Sequence, residues 1–108
     1  MARYLLIESR DPFDNNDVAF YGELACNLVR EGNEVTMFLV QNGVLPTRPC
    51  ERSPSLTKLA EAGVKVLADE FSLRERGITV NGLIKGVIAA PLDIVVDELA
   101  SGTKTIWH

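Results

Sequence analysis

Apolar residues in this chain recur with two spacings. Tyr4 to Glu8 (YLLIE), Glu34 to Val40 (EVTMFLV), Val64 to Ala68 (VKVLA) and Thr103 to Trp107 (TKTIW) are short runs rich in Val, Ile, Leu and Phe. Three of them are too apolar for a wet surface and too short for helices, which predicts strands buried on both faces. Between the first two, Val18, Tyr21, Leu24, Ala25, Leu28 and Val29 follow one another at three and four residues. That spacing predicts a helix from a cap at Asn15 or Asn16 to about Glu31, with one apolar stripe. The same spacing at Leu92, Val95, Val96 and Leu99 predicts a last helix that begins near Pro91 and turns this stripe inward. Shorter helices are expected from Ser53-Pro54, as cap and first residue, through Ala62, and from about Ser72 to Arg76. A fourth strand is expected within Leu83 to Ala90. Gly32, Gly63, Gly77 and Gly102 stand where each helix should stop, because a left-handed residue closes a helix and glycine enters that region without strain.

Strands alternating with helices over such short connections imply crossovers that cover a largely parallel sheet. The expected architecture is one α/β domain, residues 1–108, built as a three-layer α/β/α sandwich on a mostly parallel five-stranded sheet of flavodoxin-like topology. Reactive groups in such folds gather at the carboxyl ends of the strands, here the loops after Glu8, Val40 and Ala68. The segment from Asn42 to Ser53 reads as the longest irregular stretch, about twice a median connection.

Composition narrows the classes of function. A chain of 108 residues with 46% hydrophobic and 24% charged content suits one soluble core. Its net charge of −4, with no run of Lys or Arg, offers nothing to phosphate backbones or anionic lipid. The first residues lack the apolar length of a signal peptide and no segment approaches about 18 apolar residues, so the expectation is a cytoplasmic protein with neither a nucleic-acid nor a membrane partner. Cys26 and Cys50 form no framework and read as free thiols. The only histidine is His108, the last residue, so triads and His-bearing metal sites would have to rest on an end expected to be mobile.

The three loops supply the candidate chemistry. The first lacks a glycine cradle and carries Asp11, Asp14 and Asp17, which disfavours a nucleotide; no cofactor is expected. With Asp69 and Glu70 these carboxylates could surround a divalent cation as in receiver domains. They read better as solvated loop residues and caps, Lys104 lies at the wrong end for a receiver, and no metal site is assigned. The second loop holds Asn42 and Gly43 in a turn signal, then Cys50 between Arg48 and Arg52, the electropositive setting in which a thiol can accept sulfur. Cys26, on a helix stripe, reads as a small buried hydrophobe. The third loop contains no strong nucleophile, and Ser72 reads as a helix cap.

The run YLLIESRDPFDNNDVAFYGELACNLVREGNEVTMFLVQNGV, then LAEAGVKVLADEFSLRERGI and LDIVVDELASGTKTIW, resembles the DsrE/DsrF-like family, also called YchN-like and related to TusD. The resemblance runs end to end and rests on the order of elements and on local signatures such as EGNEVTMF, QNGV and AGVKV. It implies a protein of intracellular sulfur metabolism: a sulfur-relay or sulfurtransferase-type subunit, commonly a trimer or hexamer, meeting related subunits or a sulfur-carrier protein. It also implies a persulfide-forming cysteine immediately after the third strand. That position is Asp69, and a carboxylate cannot carry sulfane sulfur. Either Cys50 on the adjacent loop takes over, or the chain is a non-catalytic subunit. Asp11, Asn42, Gly43, Glu70 and Ser72 would line the pocket around Asp69. The alternative is an oligomeric interaction module, or one that binds a small ligand or divalent cation, without sulfur transfer.

Overall fold

The computed structural model describes residues 1–108. Five strands, β1 (Arg3–Glu8), β2 (Glu34–Leu39), β3 (Lys65–Asp69), β4 (Val87–Ala90) and β5 (Lys104–Trp107), alternate with four helices, α1 (Asp17–Arg30), α2 (Ser53–Glu61), α3 (Glu70–Glu75) and α4 (Asp93–Ala100). The sheet order is β4-β3-β2-β1-β5, and every neighbouring pair is parallel. All four helices end alike. In α2, for example, Gly63 (φ 104°) donates to the Ala60 carbonyl and Val64 to that of Leu59, which closes the last turn and starts the chain toward β3.

Alternation along the strands divides the core in two. Leu6, Met37, Leu39, Val66 and Ala68 face one way and pack with Tyr21 and Ala25 of α1, Leu56 and Leu59 of α2 and Leu73 of α3. Leu5, Ile7, Phe38 and Leu67 face the other way, where α4 alone covers them through Ile94 and Val95. The layers are those expected, but the topology departs from the flavodoxin order of 2-1-3-4-5. Here three crossovers step the same way from β1 to β4, and α4 alone returns across the opposite face to set β5 beside β1.

Three local expectations are corrected. The first half of the Asn42 to Ser53 stretch, expected to be irregular, belongs to a 3₁₀ helix, Gln41–Thr47, that buries Gly43, Val44, Pro46 and Thr47. Leu24 is 38% exposed, so the α1 stripe narrows to Tyr21 and Ala25 with half-buried flanks. The α4 stripe divides: Val95 is half-buried, but Leu92, Val96 and Leu99 are 56–63% exposed. One helix on a sheet can bury only the side that touches it, and nothing in the chain covers the other.

Candidate functional site

Asp69 ends β3 with an extended backbone (ψ 122°), and its carboxylate caps α3. Oδ2 accepts from the Ser72 amide at 3.0 Å and from the Ser72 hydroxyl at 2.7 Å. The Ser72 hydroxyl in turn accepts from the Gln41 amide at 2.8 Å. Ser72 is therefore inside α3, not at its cap, and the carboxylate does the capping. Asp69 is only 6% exposed and Ser72 3%. Beside them, Arg76 donates through Nε and Nη2 to Asn42 Oδ1 at 3.2 and 3.0 Å and through Nη1 to the Ser72 carbonyl at 3.2 Å. Gly43 packs so closely on β1 that a Cβ would lie 2.3 Å from the Glu8 carbonyl oxygen. The third strand's tip is thus tied to the 3₁₀ helix through hydrogen bonds internal to the chain.

The other expected residues lie apart from this knot. Asp11 Oδ1 accepts from the Phe13 amide at 2.9 Å in an Asx turn of the first loop. Glu70, half-buried, borders a separate hollow with Leu73 and Arg74. No three His, Cys, Asp or Glu side chains come together in a metal-binding cluster. Cys50 is half-buried and free. Its amide donates to Ser53 Oγ at 2.8 Å, the same hydroxyl lies 3.4 Å from its sulfur, and no hydrogen bond links it to Asp69. Ser53 falls within α2, and its hydroxyl reaches the Pro46 and Arg48 carbonyls at 3.0 and 2.7 Å instead of capping the helix. Cys26, also half-buried, lines a cleft of about 740 Å³ between α1 and α2.

A second cluster has no counterpart in the sequence reading. Glu8, 2% exposed at the end of β1, holds His108 Nδ1 at 2.9 and 3.0 Å and accepts from the Arg10 amide at 3.1 Å. His108 is not loose. Its backbone continues the β5 ladder, donating to the Ile7 carbonyl at 2.8 Å and accepting from the Ser9 amide at 3.0 Å. The Tyr21 ring lies 4.8 Å from the imidazole, and its hydroxyl reaches the Ile106 carbonyl at 2.6 Å and that of Ile7 at 3.3 Å. Partners 100 residues apart leave no local signal; only an acidic residue ending an apolar strand could have flagged the site.

Burial, then the Glu8 charge, push the Tyr21 phenol above its ordinary range. An unfolded tyrosine ionises near pH ~10. Because the folded-state phenol titrates higher, its contribution to stability is whole below about pH 10 and is lost above it, by about 1.4 kcal/mol per pH unit. Urea unfolding between pH 7 and 11 should show this loss. Tyr21→Phe should flatten it while costing about 1 kcal/mol at neutral pH; an unchanged alkaline slope would assign the loss elsewhere.

The backbone is similar to that of the YchN protein from E. coli, with a TM-score of 0.87 over 100% of both chains at 20% sequence identity. It is similar to a protein of unknown function from Methanobacterium thermoautotrophicum, at 0.85, 100% of both chains and 21% identity. A conserved protein of unknown function from Bacteroides thetaiotaomicron gives 0.75 and 18%, over 98% of this chain and 95% of that one. No protein-family model matches the chain, and no curated protein matches it in sequence. The chain has the YchN fold, and the fold is what it shares with these structures. No helix is long and apolar enough to cross a membrane.

Proposed function

We propose that this chain is a non-catalytic subunit of a DsrE-like assembly in sulfur metabolism, acting through association with copies of itself or with related subunits. The observation that carries this reading is the condition of Asp69. Where the resemblance calls for a persulfide cysteine, the side chain is buried and spent on the α3 cap. A position that fixes the fold from inside offers no group to a sulfur donor.

The α4 side of the sheet supports association. Leu92, Val96 and Leu99 are exposed there, and the strand register puts Ile88 (beside Leu67) and Trp107 (beside Ile7) on the same face at 61% and 65% exposure. Five large apolar side chains on one face exceed the scattered exposure normal for monomers. Light scattering at micromolar concentration should report a trimer or larger species. Val96→Glu with Leu99→Glu should convert it to monomer with unchanged circular dichroism. A wild-type monomer would remove the proposal.

Cys50 carries a second reading, because it is a free, half-buried thiol in the loop that leads into α2. There it would be a sulfur acceptor in place of the missing cysteine. Assembly should not depend on it: Cys50→Ser should leave the scattering mass unchanged.

A further inference from the structure

We propose that the cleft between α1 and α2 binds a small organic anion with an apolar body, an aryl or alkyl sulfonate or carboxylate. The cleft exists because α1 turns Ala19 and Gly22 toward α2, leaving unfilled the space that longer side chains would take. A Cβ on Gly22 would meet only Leu59 Cδ2, at an ordinary 3.7 Å. The volume of about 740 Å³ falls in the range of small-molecule sites. Val18 of α1 and the edges of Leu56 and Leu59 of α2 give it an apolar lining, over the buried Met37 and Leu39 of β2.

Charge selects the ligand class. In a chain of net charge −4, this lining carries Arg30, Arg52 and Lys58 against Glu8 and Glu23. Glu8 is already held by His108 and the Arg10 amide. None of the three cations is in an ion pair; Arg30 donates to Asn27, and the Arg52 guanidinium lies 5.6 Å from the centre of the Phe13 ring. A partly apolar lining with three cations outside any ion pair, against Glu23 as the one unheld acid, fits an amphipathic anion better than a neutral or cationic one. The cleft lies on the face of the sheet opposite α4, so association through α4 leaves it open. Glu8 and Arg52 stand where β1 ends and α2 begins, and Arg30 where α1 ends, so the cleft has polar groups at both ends of its apolar middle.

The probe is 8-anilinonaphthalene-1-sulfonate, titrated into methyl-labelled full-length protein and followed by NMR, with its uncharged counterpart N-phenyl-1-naphthylamine as comparison. The expected result is saturable one-to-one binding, with shifts in the Met37, Leu39, Leu56 and Leu59 methyls and protection of Cys26 from N-ethylmaleimide. The uncharged probe, and the Arg52→Gln, Lys58→Gln double variant with the sulfonate, should each bind about five-fold more weakly or worse. Gly22→Leu should abolish binding at unchanged circular dichroism; Ala19→Trp, which fills the cleft from a surface position, serves if that variant misfolds. Shifts confined to Leu92 and to Val96 and Leu99 of α4, equal affinity for the uncharged probe, or full binding by the filled variants would overturn the assignment.

Discussion

Replacing Gly43 with alanine is expected to cost about 3 kcal/mol or more and to lower the melting temperature by about 10 °C or more. The added Cβ would sit 2.3 Å from the Glu8 carbonyl oxygen and 3.1 Å from its carbon. Both atoms are backbone, so no rotamer change relieves the clash. That oxygen also accepts from the Val40 amide at 3.0 Å, where β2 leaves β1 and the chain enters the 3₁₀ helix. Relief would therefore move the β1–β2 junction and the buried Val44 next in sequence. Gly22→Ala is the control, because its Cβ meets only a side-chain methyl at 3.7 Å in mid-helix, where alanine is the better helix former. Thermal melts of the two variants should differ in sign; a neutral Gly43→Ala would mean that the QNGV turn is kept for something other than close packing.

Asp69→Ala should destabilise the chain by about 2–3 kcal/mol, the sum of a lost helix cap and of a buried Ser72 amide and hydroxyl left without an acceptor. Asp69→Asn should cost less, since its amide oxygen can still accept from the Ser72 amide. Asp69→Cys, which supplies the residue that the resemblance expects, should lose nearly as much as the alanine variant, because a thiol is a poor acceptor for the cap. Chemical denaturation of the three variants measures the order. If Asp69→Cys proved as stable as wild type, the carboxylate would not be the structural element described above.

How much of this was legible depends on the range of the interaction. The strands and the glycine stops were readable because both are local: β-branched runs declare themselves, and Gly63 followed by Val64 closes α2 within six residues. The 3₁₀ helix at Gln41–Thr47 was hidden behind Asn42-Gly43 and Pro46, residues that punctuate chains in general but here lie in a tight, buried turn. The capping role falls to Asp69 instead of Ser72 because a shift of two or three residues in a predicted helix start moves the cap. The inward reading of Leu92, Val96 and Leu99 failed for a different reason: periodicity shows that a stripe is apolar, not what covers it. At the site, the tie between Asp69, Ser72 and Gln41 needed the fold, and the union of Glu8 with His108 joins opposite ends of the sequence. A chain end is expected to be mobile, yet His108 continues the β1–β5 ladder.

The central claim is that the chain works by association and carries no sulfur, and intact-mass analysis of the wild-type protein after incubation with a persulfide donor tests it most directly. Neither Cys26 nor Cys50 should retain a stoichiometric gain of about 32 Da after gel filtration. A full equivalent of sulfur on Cys50, absent from Cys50→Ser and passed on to an acceptor thiol, would contradict it.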